Sequence, residues 1–577
     1  MALARDGSRD GSREGPQDGP QDGSPHGPRS GADSYGTRAD SYESGVGGEP
    51  LLGDTIGVNL ARTARRFGDR EALVDCPSGR RWTYAEFDRD VDEVARGLLA
   101  HGVLKGDRIG IWAPSCAEWA LLQYATARTG AVLVSLNPAY GEHELGYALR
   151  QAGVGILIAA LEHRGADCRA AVAAVRPDCP ELRHVMHLGD PSWDALLAAA
   201  TGVPAGRLAA REAELSCDDP VIIQYTSGTT GFPKGATLSH HNVLNNGYAV
   251  GEILNYTEND RICLPVPLYH TFGMVLGTLG ATSRGACVVI PAPSFDPAAT
   301  LRAVADERCT SLYGVPTMFI AELNLPDFAS YDLSSLRTGV MGASPCPVEV
   351  MKRVLSEMHM AEVSIAYGMT ETSPVSAQTR RDDGLERRTE TVGQVLPHLE
   401  LKIVDPVTGV TVPRGEQGEL CIRGYSVMLG YWDDPQRTAE AIDAARWMHS
   451  GDLATMREDG CVRIVGRIKD MIIRGGENIY PREIEEFLHT HPKIADVQVV
   501  GVPDEAYGEE VAACVILAPG ADGLTREEIA DFCRGRLARY KVPRYVRLMD
   551  AYPLTASGKV RKVELRRWAA DSTAGTR

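Results

Sequence analysis

The chain has 577 residues, of which 44% are hydrophobic and 24% charged, and its formal net charge is −17. This length exceeds the size at which a single core stops growing, so we expect two domains or one large multi-lobed one. The composition is that of a soluble globular protein and excludes a collagen-like or wholly disordered chain. The acidic balance disfavours non-specific binding to nucleic acid or to anionic lipid, so a polyanionic ligand needs a local site.

The cysteines and the hydrophobic pattern indicate where such a protein resides. The 13 cysteines are scattered, with no CxxC pair, as expected for reduced, mostly buried thiols in a chain of this length. The sequence has no run of about 18 apolar residues, and the N-terminus lacks the apolar stretch of a signal peptide. We therefore expect a cytoplasmic protein with no integral membrane segment.

Residues 1–48 are predicted to be a disordered tail. They are rich in Gly, Asp and Ser and contain imperfect repeats such as Asp-Gly-Ser-Arg. Such a segment cannot bury enough apolar surface to offset the entropy that ordering would cost.

Residues 49–468 are predicted to form a large, multi-lobed N-terminal domain of the α/β class. Segments with helical apolar periodicity alternate with short β-rich runs, as in the helical pattern of residues 84–101 and the strand pattern of residues 108–112. That alternation is typical of an architecture with mainly parallel sheets.

Residues 469–577 are predicted to form a small, mobile α+β domain. Thr525 and Glu528 have the spacing of a capping box, which predicts a helix after them. The elements predicted before that helix are a strand at 471–474, a helix at 481–489 and paired strands at 496–502 and 510–517.

A glycine-rich segment, residues 226–235, follows a predicted buried strand at 221–225. Phosphate binding needs close backbone approach, exposed amide groups, hydroxyl donors and a cation, and this segment supplies all four. An ordinary loop between a strand and a helix is the alternative interpretation. The segment lacks the Gly-Lys-Ser/Thr ending of a Walker loop. The candidate phosphate-binding residues are Thr226, Ser227, Gly228, Thr229, Thr230, Gly231 and Lys234.

The order of residues in this segment resembles the signature loop of the adenylate-forming superfamily, which contains acyl-CoA synthetases, luciferases and peptide-synthetase adenylation domains. The resemblance covers roughly residues 55–570 and is greatest to medium-chain fatty acyl-CoA synthetases. Four further motifs follow in the family's order: an adenine and magnesium motif at 367–371, a ribose motif at 447–453, an interdomain hinge at 466–470 and a catalytic-lysine motif at 553–559.

The resemblance implies an enzyme that uses ATP to convert a carboxylic acid into an acyl-adenylate. Because the resemblance is greatest to fatty acyl-CoA synthetases, a fatty acid is the expected substrate. The acyl group then passes to coenzyme A. An alternative is a stand-alone adenylation enzyme that loads an acyl carrier protein; a non-enzymatic ATP-binding protein and a luciferase-like oxygenase are further alternatives. Amino-acid activators of the family carry an acidic residue where this chain has residues 269–273, so the small-molecule substrate is expected to be a simple acid. Its chain length, and whether it is alkyl or aryl, stay open.

The resemblance also implies roles for the residues that would bind ATP and Mg²⁺. Tyr367, with Gly368, would contact the adenine, and Asp452 the ribose hydroxyls. Thr370 would donate a hydrogen bond to the α-phosphate. Glu371 would bind Mg²⁺, which prefers hard oxygen ligands. Arg467 is expected beside the ribose or phosphate, and Lys234 at the β- and γ-phosphates.

The remaining implied roles concern the acyl group and the thiol. Lys559 is expected to bridge the attacking carboxylate and the α-phosphate. His270 would flank the acyl pocket, although a core histidine is the alternative, and Lys469 would be the hinge. Residues 313–317 and 342–345 resemble the segments that line the acyl and adenine pockets; of these, Gly342, Ala343 and Ser344 are candidate ligand-binding residues. Gly475 and Gly476 would let the backbone approach the pantetheine of coenzyme A, or would form an ordinary turn.

Overall fold

A computed structural model describes residues 39–226, 233–344, 346–554 and 560–574, with side chains described up to residue 571. The first strand, Tyr42–Ser44, pairs with Leu399–Val404. Ordered structure therefore includes residues that the sequence analysis assigned to the tail, because a short strand with few apolar residues can be held by an existing sheet edge. Residues 1–38 lie outside the described residues.

One mainly parallel sheet has seven strands, of which all but one come from residues 108–239. Five of its strands form four parallel pairs, and the two strands at one edge add antiparallel pairs. In spatial order the strands are Gly430–Tyr431, Lys234–Ser239, Pro220–Thr226, Val132–Ser135, Arg108–Trp112, Ile156–Ala159 and His184–His187.

A second, nine-stranded sheet is parallel in its centre and antiparallel at both edges. Its parallel strands are buried on both faces and rich in aliphatic residues, as expected when helices cover the sheet. In spatial order the strands are Gln394–Val395, Val375–Gln378, Glu362–Gly368, Thr338–Gly342, Ser311–Gly314, Arg261–Cys263, Cys287–Ile290, Glu71–Asp75 and Arg80–Thr83.

The third sheet is antiparallel throughout, and four of its five strands come from the residues just before the predicted hinge. Its strands, in spatial order, are Tyr42–Ser44, Leu399–Val404, Gln417–Gly424, Met448–Met456 and Val462–Arg467. A small two-stranded ribbon joins Glu162–His163 to Ala166–Asp167.

The C-terminal sheet is mixed and has its own hydrophobic core, in which Ile472, Val499 and Val511 are fully buried. Burying one such side chain stabilises the fold by about 1.5–3 kcal/mol. Residues 39–577 form one compact unit, so the division at residue 468 stays a prediction. The strands are Glu477–Ile479, Ile472–Arg474, Gly508–Leu517 and Ile494–Asp504, and Tyr545–Leu548 pairs in parallel with Gly508–Leu517.

Several helices begin where the sequence provides a side-chain cap. Thr83 and Glu86 form a capping box before Tyr84–Ala100, and Thr525 and Glu528 form the predicted one. The helices are Ile56–Phe67, Tyr84–Ala100, Ala117–Thr129, Glu142–Ala152, Cys168–Val175, Pro191–Ala199, Ala205–Glu212, His240–Ile253, Gly280–Thr282, Pro297–Asp306, Pro316–Leu323, Val348–Glu357, Leu385–Glu390, Pro435–Ala441, Pro481–Leu488, Arg526–Cys533 and Lys562–Ala574. Residues Phe272–Leu279 form a π-helix.

The predicted fold class is confirmed, because mainly parallel sheets with helices precede a small C-terminal α+β part. All 13 cysteines are free, and nine of them are buried, as predicted. Within the described residues, none of the helices has both the length and the apolar character needed to cross a membrane.

Candidate active site

Two predicted site residues, Thr370 and Glu371, lie in a buried 3-10 turn that follows strand Glu362–Gly368. A side chain on Gly368, the last residue of this strand, would place its Cβ 1.8 Å from the carbonyl oxygen of Pro374. Only glycine fits that approach. The glycine at position 368 therefore allows the backbone path that leads from the strand into the turn with Thr370 and Glu371.

The carboxylate of Asp452 is the centre of a first contact network. Its Oδ2 accepts a 2.7 Å hydrogen bond from the Tyr367 hydroxyl, and its Oδ1 accepts a 2.9 Å hydrogen bond from Arg467 Nε. Burial, together with the neighbouring carboxylate, raises the pKa of Tyr367, so this phenol stays protonated and remains a donor. The structure thus brings together, from two sheets, three residues that the sequence analysis assigned to ATP.

Tyr431 is the centre of a second network, and the sequence analysis missed it. Its hydroxyl donates a 2.8 Å hydrogen bond to Glu371 Oε1, and Lys234 Nζ lies 4.9 Å from the centroid of its ring. Strand Gly430–Tyr431 is placed by antiparallel pairing, with Tyr431 opposite Ala236. Burial, with the Glu371 carboxylate as the second cause, raises the pKa of Tyr431, which keeps its hydroxyl a donor.

The glycine-rich segment connects two antiparallel strands, so its interpretation as a loop between a strand and a helix is wrong. Thr226 ends one strand and lies opposite Lys234, the first residue of the next, and its hydroxyl is 3.5 Å from the Lys234 carbonyl oxygen. The predicted ligands at Ser227, Gly228, Thr229, Thr230 and Gly231 lie outside the described residues, and their roles stay predictions.

His270 lies in a turn immediately before the buried π-helix Phe272–Leu279. Its Nδ1 accepts the backbone N–H of Phe272 at 3.2 Å, and its carbonyl accepts the N–H groups of Gly273 and Met274. The Phe272 ring stacks on Tyr313, with 5.7 Å between centroids. π-helical segments are frequent at functional sites. The role of His270 beside the acyl group stays a prediction.

The segment after strand Thr338–Gly342 also approaches Phe272. A Cβ on Gly342 would lie 4.0 Å from Phe272 Cζ and 3.1 Å from the Ala366 carbonyl oxygen. Ala343, at φ 71°, has a left-handed backbone that non-glycine residues rarely adopt, and Ala343 and Ser344 are exposed. Such strained positions cluster at ligand sites. The binding roles of Gly342, Ala343 and Ser344 stay predictions.

The predicted hinge residue, Lys469, is exposed in the 3-10 turn Ile468–Asp470, between the antiparallel sheet and the C-terminal sheet. Gly475 and Gly476 form the tight turn of a hairpin, with φ values of 58° and 89°. Both conformations favour glycine, so the turn explains these residues without a ligand. Lys559 lies outside the described residues.

Two places have the chemistry to hold a metal ion. The Glu371 carboxylate has about four lone-pair positions, of which Tyr431 uses one, and its oxygens suit Mg²⁺. Among the described residues, Glu419, Cys421 and His449 also place one potential ligand atom each within 4.8 Å of one another. Hydrogen bonds already occupy both oxygens of Glu419.

The chain matches a known enzyme family. A family model described as AMP-binding enzyme matches residues 60–432, and a second, AMP-binding enzyme C-terminal domain, matches residues 483–559. The chain therefore belongs to the AMP-binding enzyme family of adenylate-forming enzymes.

Similar proteins and structures indicate which kind of enzyme within this family the chain is. The chain is 49% identical to the putative acyl-CoA synthetase YngI of Bacillus subtilis (strain 168), over 89% of this chain and 97% of that protein. It is 46% identical to the mitochondrial medium-chain acyl-CoA ligase ACSF2 of Danio rerio, over 92% and 91%. The crystal structure of ATP-bound MatB from Rhodopseudomonas palustris matches with a TM-score of 0.80 and 31% identity, covering 90% and 99%. The chain is an AMP-forming acid–CoA ligase: it activates a carboxylic acid with ATP and forms an acyl-CoA.

Proposed function

We propose that the acid is a medium-chain fatty acid. The support for this chain length is the identity of 43–46% to relatives named medium-chain acyl-CoA ligase, over 91–92% of the chain. The assignment of the ATP site rests on one structural observation, the contact of Asp452 with Tyr367 and Arg467. That contact combines a carboxylate, an aromatic ring and a cation, which suit a ribose, a base and a phosphate.

The proposed ATP contacts follow from the two networks. Tyr367 and Arg467 use two of the roughly four lone-pair positions of Asp452, and the other two suit the neighbouring ribose hydroxyls. Thr370, beside Glu371, donates a hydrogen bond to the α-phosphate. Lys234, held over the Tyr431 ring, supplies positive charge to the β- and γ-phosphates.

Glu371 would hold Mg²⁺, together with phosphate oxygens of ATP. The fit rests on its buried carboxylate, which Tyr431 orients through one oxygen. The ion, when bound, offsets charge on the phosphates. Tyr431 keeps the carboxylate in a fixed direction, which is the contribution of the chain itself.

The reaction has two half-reactions. A carboxylate oxygen of the acid attacks the α-phosphorus of ATP, and the bond to the β-phosphate oxygen breaks, releasing pyrophosphate. We assign to Lys559 the stabilisation of negative charge in this transition state. The thiol sulfur of coenzyme A then attacks the acyl carbonyl carbon, the bond to the phosphate oxygen breaks, AMP leaves, and the thiol proton passes to solvent.

The second half-reaction needs a different arrangement of the C-terminal residues, because Lys559 and the thiol approach the same carbonyl group. We assign the hinge to Lys469, at the junction between two sheets, and the domain boundary to residues 468–469. Gly475 and Gly476 would approach the pantetheine chain. His270 and the residues around Phe272 would line the acyl group.

The acceptor is coenzyme A rather than an acyl carrier protein, since the relatives are named acyl-CoA synthetase and acyl-CoA ligase. For location, we propose the cytoplasm, on the support of 13 free cysteines. The ACSF2 relatives are named mitochondrial, so fractionation of source cells with an antibody to this chain tests the proposal.

The test is to supply Mg-ATP and fatty acids of short, medium and long chains, as well as aryl acids, and to follow pyrophosphate and acyl-CoA. We expect the highest kcat/KM with medium-chain acids and thioester only with coenzyme A. Lys559→Ala should lose pyrophosphate release, whereas Lys352→Ala, a matched exposed lysine paired with Glu349, should keep it. Higher kcat/KM for long-chain or aryl acids would refute the chain length, and an active Lys559→Ala would refute the role of that lysine.

A further inference from the structure

Strand Met448–Met456 contains a bulge at the position of the predicted ribose ligand. Cys421 pairs with His449, and Glu419 pairs with Leu453. On one strand a single residue separates Glu419 from Cys421, but on the other strand three residues, 450–452, separate their partners His449 and Leu453. The bulge therefore leaves Asp452 without a partner on strand Gln417–Gly424, while on its other side Asp452 pairs with Arg467. Bulges commonly re-aim a side chain in this way.

The side chain of Glu419 fastens this bulge. Its Oε1 accepts the backbone N–H of Gly451 at 3.0 Å, and its Oε2 lies 2.9 Å from Nδ1 of His449. Gly451 has φ 70°, a left-handed conformation that suits glycine. Because a bulge removes ladder partners, Glu419 supplies the acceptor that this peptide group would otherwise lack.

Ser450 completes the fastening from inside the bulge. Its hydroxyl donates to the Leu420 carbonyl at 2.6 Å and accepts the Asp452 N–H at 3.1 Å. The peptide groups on both sides of Gly451 are thus tied to strand Gln417–Gly424, immediately before the Asp452 side chain begins. Glu419 has only 9% of its surface exposed, so water replaces its contacts poorly.

We propose that Glu419, with His449 as its partner, is a positioning residue that aims the Asp452 carboxylate at the ribose 2′ and 3′ hydroxyls. The inference rests on the proposed ribose role of Asp452. Tyr367 and Arg467 hold the two carboxylate oxygens from one side, and Glu419 fixes the backbone from the other. Recognition of a vicinal diol requires both oxygens in one direction, so a small rotation of the 451–452 peptide weakens it.

The test compares ATP with 2′-deoxy-ATP and 3′-deoxy-ATP in acid-dependent pyrophosphate exchange. We expect Glu419→Ala to raise the KM for ATP at least tenfold and to reduce the preference for ATP over both analogues by a similar factor. The KM for the acid should stay within twofold. Glu419→Gln, which keeps one acceptor oxygen, should restore most of the preference. Glu400→Ala, which removes a half-buried carboxylate of the same sheet that is paired with Arg423, should leave the preference unchanged.

Loss of activity by the same factor for ATP and both analogues would overturn the inference, because general destabilisation does not distinguish them. Asp452→Ala separates this failure from that of the ribose role. If Asp452→Ala lowers the preference and Glu419→Ala does not, only the positioning role fails; if neither variant lowers it, the ribose role fails as well. Should Glu419→Ala not fold, Glu419→Asp, which keeps the charge but shortens the side chain, provides the same comparison.

Discussion

Replacing Tyr431 by phenylalanine separates the two contacts of this side chain. The change removes the hydroxyl that donates to Glu371 Oε1 at 2.8 Å, and it keeps the ring that lies under Lys234. Tyr431 and Glu371 are 8% and 7% exposed, so water does not readily take the place of the hydroxyl. A hydrogen bond to a charged group contributes about 1.5–3 kcal/mol. At about 1.4 kcal/mol per factor of ten, kcat/KM for Mg-ATP should fall about ten- to hundredfold.

The assay is pyrophosphate exchange at fixed ATP over a range of Mg²⁺ concentrations. The half-saturating Mg²⁺ concentration should rise for Tyr431→Phe, because the carboxylate that we assign to Mg²⁺ loses its orientation. Tyr431→Leu also removes the ring and should lose a further two- to fivefold, from about 0.5–1 kcal/mol of cation–π attraction.

Tyr84→Phe is the matched control for this experiment. Its hydroxyl is also buried and donates at 2.6 Å to the Ala286 carbonyl, in a different part of the fold. This control should lower the melting temperature without changing the Mg²⁺ dependence. The reasoning is refuted if Tyr431→Phe retains both kcat/KM and the half-saturating Mg²⁺ concentration within twofold of the unsubstituted protein.

Two further predictions concern the stability of the fold. In Gly368→Ala the new Cβ would overlap the Pro374 carbonyl, so the melting temperature should fall by an amount equivalent to about 3 kcal/mol. Gly206→Ala, in open space within a helix, is the control and should be neutral or stabilising. Equal melting temperatures for the two variants would contradict this explanation. Burial lowers the pKa of His240 to about 4. Between pH 6.5, the ordinary pKa of histidine, and pH 4, the unfolded chain therefore takes up a proton at this residue and the folded protein does not. Up to about 3 kcal/mol of the stability present above pH 6.5 is lost as the pH falls to 4. His240→Asn, whose side-chain oxygen can accept the Ile56 N–H in place of Nδ1, should lose less stability over that range in chemical denaturation, and parallel curves for the two proteins would count against the explanation.

Local patterns predicted much of the fold. The helical pattern at 84–101 corresponds to helix Tyr84–Ala100, and the capping box at Thr525 and Glu528 makes both of its expected hydrogen bonds. The paired strands predicted at 496–502 and 510–517 are longer in the structure, Ile494–Asp504 and Gly508–Leu517, because pairing extends a strand past its apolar centre. These features depend on neighbouring residues, which a single sequence displays.

The supporting residues of the site could not be predicted in the same way. Tyr431 is 60 residues from Glu371 in the chain, and Glu419 is 32 residues from Gly451. Nothing in the residues next to Tyr431 or Glu419 indicates these contacts, which depend on the register of antiparallel strands. The same reason explains why the alternative interpretation of the glycine-rich segment placed a helix after it, since the strand Lys234–Ser239 is defined by its partners.

The position of these supporting residues has a consequence for the reaction. Tyr431 connects the seven-stranded sheet to Glu371, and Asp452 connects the antiparallel sheet to Tyr367. Both contacts therefore end at the C-terminal end of strand Glu362–Gly368, in the nine-stranded sheet, or in the turn that follows it. A change in either contact shifts groups that we assign to ATP, without altering the C-terminal sheet. Variants of Tyr431 and Glu419 should therefore slow pyrophosphate release, and they should leave thioester formation from a supplied acyl-adenylate largely intact. Variants at Lys469 should show the opposite pattern, because the hinge is needed after the adenylate has formed.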